Sequence, residues 1–200
     1  LGFAEAAAIS AGATTAYAAL FENAGLAAGQ RVLIHGGAGG VGAFAVQLAR
    51  WKGARVIATA SAANRAFVSS LGAETVIDYA AEPFEEAAGG VDAVLDTIGG
   101  ETLLRSMRTV RPGGVVVSLL GQPPQDLAAE LGIRAMNNQV AQPFPSRELL
   151  QTIAALIESG QIAAHLGPAF ALEEAAMAQE LVRTGHGRGR VTLRIGPGEG

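Results

Sequence analysis

The 200-residue sequence contains no cysteine, which excludes disulfides, thiolate metal sites and a cysteine nucleophile. Charge is sparse: 14 Lys and Arg against 18 Asp and Glu leave a net charge of -4 with no basic stripe, so nucleic acid is not an expected partner. No apolar run approaches the roughly 18 residues needed to cross a bilayer, because Gly, Thr and Asn interrupt every candidate. No signal peptide is recognisable. No membrane association is expected, and the missing cysteine suits a reducing cytoplasm.

What is present is apolar. Half of the residues are hydrophobic, enough over this length for one sizeable core and hence one domain. The chain opens on Leu1 rather than Met and drops at once into FAEAAAISAGATTAYAAL, which reads as the interior of a longer protein.

Residues 3–24 predict a helix interrupted near Gly12 and closed at Gly25, with a second turn at Ala28-Gly29. RVLIH (31–35) is a short buried strand, and after a glycine turn Phe44, Val46, Leu48 and Trp51 mark a helix that ends at Gly53. ARVIATA (54–60) predicts a second strand, NRAFVSSL a helix stopped by Gly72, and TVIDY a third strand. VDAVLDTI (91–98) predicts a fourth, ETLLRSMRTV a helix closed by the turn Pro112-Gly113-Gly114, and VVVSLL a fifth. IRAMNNQVA (133–141) is a candidate sixth strand. SRELLQTIAALIESG and LEEAAMAQELVRTG have helical spacing, RVTLRI (190–195) alternates like an edge strand, and residues 196–200 form a tail. Apolar strands separated by helices predict an α/β fold, a doubly wound parallel sheet buried on both faces.

The stretch HGGAGGVGAFAVQLAR follows the first strand and opens a helix. That context turns Gly37-Ala38-Gly39-Gly40-Val41-Gly42 from a weak pattern into a dinucleotide fingerprint. Unpaired N–H groups at a helix N-terminus attract an anion, and side chains there would block its approach. Gly37 suits the tight turn, Gly39 the contact with pyrophosphate, and Gly42 the close packing of helix on strand. The competing reading is a glycine-rich turn without a ligand.

An NAD site normally places an acid about 20 residues beyond the motif. From Ala43 to Ala73 there is none, and the second strand runs into Ser61, Asn64 and Arg65. A carboxylate about 4 Å from a phosphate charge would cost about 4 kcal/mol per charge pair at an effective dielectric of 20, so its absence permits NADPH (NADP+). Arg65 is the candidate for the 2'-phosphate, with Ser61 and Asn64 as donors; a solvated surface arginine is the alternative.

Together these segments resemble the medium-chain dehydrogenase/reductase superfamily, and within it the zinc-free quinone oxidoreductase group. RVLIHGGAGGVGAFAVQLAR is similar to that group's coenzyme loop, and LGAETVIDY, DTIGGETL, RPGGVVVSL and GRGRVTLRI follow in the family's order. The resemblance implies a Rossmann coenzyme domain over residues 1–195, with residues 1–25 as a linking helix and 190–195 as a strand returning, weakly anchored, to a catalytic domain outside these 200 residues. It assigns the pyrophosphate turn to Gly39, Gly40, Val41 and Gly42, and the adenine and 2'-phosphate neighbourhood to Tyr79. It sets Thr15 on the nicotinamide side, the main chain of Leu119, Leu120 and Gly121 at the carboxamide, and Arg190 near the coenzyme. Each has a duller reading: Tyr79 as a strand cap, the leucines as core, Thr15 bonded to its own helix. In ISAGATT, Ser10 stands where zinc-dependent relatives carry a ligating cysteine, which implies the zinc-free branch.

His35, His165 and His186 lack metal-ligand spacing. Asp96, at a strand end before Gly99-Gly100, reads as a loop-bonding residue rather than an acid, and Asp92 lies on the same strand. The function implied is hydride transfer from NADPH to a small-molecule acceptor, a quinone or an α,β-unsaturated carbonyl. The alternatives are an enoyl reductase module of a polyketide or fatty-acid synthase, and a non-catalytic NADPH-binding sensor or structural protein. The resemblance also implies a homodimer paired through the sixth strand, where Asn137, Asn138 and Gln139 are polar for a buried position.

Overall fold

In the computed structural model of the chain, residues 1–138, 145–185 and 187–196 are described. Gln139 and residues 140–141 of the sixth-strand candidate, His186, and residues 197–200 of the tail fall outside them.

The apolar runs become β1 (Arg31–Ile34), β2 (Arg55–Ala60), β3 (Thr75–Asp78), β4 (Val91–Asp96), β5 (Val110–Ser118) and β6 (Arg134–Asn137). They form one sheet in the order β3-β2-β1-β4-β5-β6, every pair parallel. The strand order reverses between β1 and β4, the topological switch point at which open α/β sheets take their ligands.

Both faces are covered because both are apolar. Val32, Ile34, Val56, Ala58, Leu95 and Val117 face one layer, which holds α1 (Phe3–Ala8), α2 (Thr14–Tyr17), α3 (Gly42–Trp51), α4 (Arg65–Ser70) and, through Ile153 and Leu156, the later helix Arg147–Glu158. The intervening Leu33, Ile57, Ile77, Val94 and Val116 meet α5 (Phe84–Ala88), α6 (Gly100–Met107) and α7 (Gln125–Leu131) through Phe84, Leu103, Met107 and Ala128. Each such fully buried Leu, Ile, Val or Phe side chain contributes about 1.5–3 kcal/mol, which holds the two layers on the sheet. The long helix is α8 (Arg147–Glu158); Ser146 caps it, accepting from the N–H of Leu149 at 3.1 Å. Beyond it, β7 (Leu166–Ala171) pairs in parallel with β8 (Arg190–Arg194), α9 (Ala175–Arg183) lying between them in sequence.

Several boundaries differ from expectation. The break near Gly12 is a π-helical turn, Ile9–Ala13, and a second one spans Ala18–Asn23, so the run from Phe3 to Asn23 is continuous. Gly12 is required there by contact: a Cβ would collide with the Gly40 carbonyl and lie 3.1 Å from the Phe44 ring. Arg111-Pro112-Gly113-Gly114 does not close α6 but lies inside β5, where the register against β4 shifts between Val91 and Ala93. Strand β4 stops at Asp96, short of residue 98, because the N–H groups of Ile98 and Gly99 turn back onto the Asp96 carboxylate. Helices α5 and α7, each entered from a proline (Pro83, Pro124), are short, and strand β7, which carries Gly167 and Pro168 and buries no residue, lacks the apolar run that marks the other strands. Residues 190–195 are better anchored at their start than expected: Gly189 N–H donates to Ala38 O at 2.9 Å and Arg190 N–H to His165 O at 3.0 Å. Leu193 and Ile195 stay exposed.

Candidate coenzyme site

At the C-terminal ends of β1, β2 and β4 lies a cleft of about 390 Å3. The glycine turn forms its floor. Gly39, Gly40, Val41 and Gly42 line it, and among the described residues no backbone acceptor takes the N–H of Gly40, Val41 or Gly42. Those groups sit at the N-terminus of α3, where the helix dipole adds about 0.3–1 kcal/mol for an anion.

The division of labour among the glycines is corrected in one respect. The left-handed residue of the turn is Gly36, at φ 66°, rather than Gly37. Gly37 lies off the cleft wall: its N–H donates to Thr59 O at 2.9 Å, and a Cβ there would press on Ala58 and Val68 at 3.1 and 3.0 Å. Gly42 seats the helix on the turn; a Cβ would fall 2.8 Å from Gly36 C and closer still to its carbonyl oxygen.

Ser61 and Asn64, just past β2, line the far end of the cleft, as does the half-exposed Tyr79 after β3. Arg65 does not. Its Nη2 meets Glu82 Oε1 at 3.1 Å, so a partner that periodicity cannot reveal occupies the guanidinium expected at the 2'-phosphate. Leu119, Leu120 and Arg190 are on the wall, with Arg190 Cδ 3.2 Å from where a Gly40 Cβ would stand. Gly121 is not; its carbonyl accepts from Asn137 Nδ2 at 3.1 Å. Thr15, half-buried on α2, is likewise off the wall, and it is Thr14 whose hydroxyl bonds its own helix, at Ser10 O. Thr97 and Ile98, missed from sequence, complete the wall after β4. The switch-point rule was the signal that would have found them.

A buried polar network supports the turn from below. Ser106 Oγ donates to Thr102 O at 2.6 Å, so it accepts from His35 Nε2 at 2.7 Å. Imidazole Nδ1 then accepts from Thr59 Oγ1 at 3.1 Å, and that hydroxyl accepts from Gly36 N–H at 3.2 Å. Burial pushes the His35 pKa from 6.5 down to about 4, the Asp96 carboxylate opposing and Arg105 assisting. The unfolded chain therefore takes up a proton that the native state refuses. Stability should be complete at pH 7 and fall by about 3 kcal/mol in all as pH drops from about 6.5 through 4. Urea unfolding at pH 7 and pH 4 tests this, and His35→Gln should lose most of the histidine's share of the slope.

Asp96 is fully buried and accepts from Ile98 N–H, from Gly99 N–H and, at 2.8 Å, from Ser118 Oγ, the loop-bonding role its position implied. Asp92 accepts from Arg31 N–H at 2.8 Å and Arg111 Nε at 2.7 Å, away from the cleft. Among the described residues no cluster of three or more His, Asp or Glu is placed to hold a metal. Nor is any of their helices long and apolar enough to cross a membrane.

Comparison with known proteins agrees with this geometry. A family model described as zinc-binding dehydrogenase matches residues 71–193. The quinone oxidoreductase of Coxiella burnetii superposes with a TM-score of 0.90 at 36% identity, over 98% of this chain and 62% of that one. The quinone oxidoreductase of Thermus thermophilus, solved also as its complex with NADPH, gives 0.82 at 29% identity, over 98% and 67%. A phenolphthiocerol/phthiocerol polyketide synthase polypeptide of Mycobacterium tuberculosis is 35% identical over 210 residues, 96% of this chain but 10% of the synthase. With the family model spanning more than half of it and the coenzyme-binding fold shared throughout, the chain belongs to the zinc-binding dehydrogenase family of the medium-chain dehydrogenase/reductase superfamily, in its zinc-free, quinone oxidoreductase-like group.

Proposed function

We propose that this chain binds NADPH and serves a reductase that delivers hydride to a quinone or an α,β-unsaturated carbonyl. One observation carries the coenzyme half of this reading: the cleft at the switch point joins three N–H groups at a helix start, unclaimed by any backbone acceptor among the described residues, to a β2 end that has Ser61 and Asn64 in place of a carboxylate. The glycine turn fits a pyrophosphate because its backbone is bare where side chains would stand. Bound there, NADPH supplies the hydride.

The chain's own contribution is placement. Gly40, Val41 and Gly42 hold the diphosphate, Ser61, Asn64 and Tyr79 the adenosine end, and Thr97, Ile98, Leu119 and Leu120 line the nicotinamide end. No acid or base among these residues is poised to move a proton. Proton delivery falls to solvent or to a catalytic domain, which we place outside these residues, with 1–195 as the coenzyme domain. Pairing of two subunits through the β6 edge belongs to the same reading.

A second reading is an enoyl reductase segment within a polyketide synthase, favoured by the match of 96% of this chain to a tenth of one. Both predict NADPH binding. Calorimetric titration with NADPH and with NADH should give tighter binding of NADPH, and equal or reversed affinities would sink the coenzyme assignment. Full-length protein offered a quinone and an enoyl thioester then separates the two reductases; binding without turnover of either would identify a non-catalytic NADPH-binding protein.

A further inference from the structure

Arg188 comes from the segment before β8, 124 residues from Asn64 in sequence, yet its Nε donates to Asn64 Oδ1 and its Nη2 to Ala63 O, both at 2.5 Å. Its guanidinium carbon stands 5.7 Å from the Phe67 ring centroid. The fork is thus held on two acceptors and one aromatic ring, and it is exposed, with no protein acceptor at Nη1 among the described residues.

This contact decides which way the Asn64 amide faces. Were the amide reversed, its NH2 would meet an N–H donor of the guanidinium, donor against donor, so Oδ1 belongs to Arg188 and Nδ2 is turned from it. Asn64 lines the cleft beside Ser61 and is otherwise buried. Arg188 stands behind the cleft wall and meets it through Asn64, while Arg65, also off the wall, is paired with Glu82, and Arg190 lines the cleft beside the glycine turn.

Resting on the coenzyme reading above, we infer that Arg188, not Arg65, determines specificity for the adenosine 2'-phosphate, through its own charge and by orienting Asn64. A phosphate monoester dianion accepts only, which is what this set of donors requires. Because Arg188 precedes β8, specificity is supplied by the C-terminal end of the chain, far from the β2 end where such residues are usually sought.

The probes are 2',5'-ADP and 5'-ADP, titrated calorimetrically into the protein and three variants. Arg188→Ala should weaken 2',5'-ADP on the order of 10- to 100-fold, as expected for loss of a charge-assisted hydrogen bond, and leave 5'-ADP within about twofold. Arg188→Lys, which keeps charge but not the fork on Asn64, should fall between. Arg65→Ala should change neither by more than about twofold. If the unaltered protein fails to prefer 2',5'-ADP, the NADPH reading falls and this inference with it. If the preference exists but survives Arg188→Ala, or vanishes in Arg65→Ala, only the inference is overturned. A parallel loss of 5'-ADP binding in Arg188→Ala would assign the arginine a purely structural role and overturn it too.

Discussion

Gly42→Ala should cost about 3 kcal/mol of stability and abolish measurable coenzyme binding. The added methyl would lie 2.8 Å from Gly36 C and 3.0 Å from Gly37 Cα, with the Gly36 oxygen nearer still, and all three are backbone atoms that cannot swing aside as a side chain could. Relief requires α3 to lift from the turn, yet α3 buries Phe44, Val46 and Leu48 completely or nearly so. Overpacking of this kind costs typically 1–3 kcal/mol, occasionally more, and an unyielding backbone puts Gly42 at the upper end. For a chain of this size that is a fall in Tm of about 6–12 °C. Gly121→Ala is the control: nothing stands within 4 Å of its Cβ position and its φ is not positive, so stability should stay within about 0.5 kcal/mol. Thermal unfolding of the two variants side by side decides the matter, and equal melting points would remove the steric account of the turn.

The second large effect is expected at Asp96. Its two oxygens take the N–H of Ile98 at 3.1 Å, the N–H of Gly99 at 3.0 and 3.1 Å, and the Ser118 hydroxyl at 2.8 Å, all without solvent contact at the carboxylate. Asp96→Ala strands these donors, at about 1–3 kcal/mol for each that finds no water, so a loss of about 3–5 kcal/mol is expected. Asp96→Asn should recover part. Its Oδ1 still accepts from Ile98 and Gly99, and the Ser118 hydroxyl can turn to accept from Nδ2, but that amide then faces Gly99 N–H, donor to donor. The order Asp > Asn > Ala in denaturant unfolding tests the network; Asn no better than Ala would show that the negative charge, rather than the acceptor geometry, is what the loop needs. The same loop sets Thr97 and Ile98 on the cleft wall, so both variants should also weaken coenzyme binding.

The glycine turn was legible in the sequence because its requirement is local. A turn that packs its own backbone against the helix start leaves no room for a Cβ at Gly42, and only glycine meets that demand, whatever the remainder of the chain does. The same holds for the alternation of apolar strand and helix, and for the helix ends at Gly25, Gly53 and Gly72, whose φ values of 66°, 85° and 106° are positive as their C-terminal positions require. Helices α5 and α7 escaped because each is short, follows a proline and buries only one or two residues, too few to mark a period. Pro112-Gly113-Gly114 misled for a different reason: turn-forming residues also accommodate a register shift inside a strand, and only the pairing with β4 tells the two apart.

Charge partners were not legible at all. Nothing in the spacing of Arg65 indicates that Glu82 will hold it, and nothing in GRGR indicates that Arg188 will reach Asn64. A guanidinium sits on a long flexible stem and chooses among acceptors by proximity in space. The sequence by itself therefore determined the parallel sheet and the bare backbone of its first turn, since both follow from periodicity and from the size of a single atom. The tertiary structure alone decided which arginine is held on Asn64 and which on Glu82, which glycine takes the left-handed conformation, and how His35 and Asp96 hold the loops, because each depends on groups brought together from distant parts of the chain.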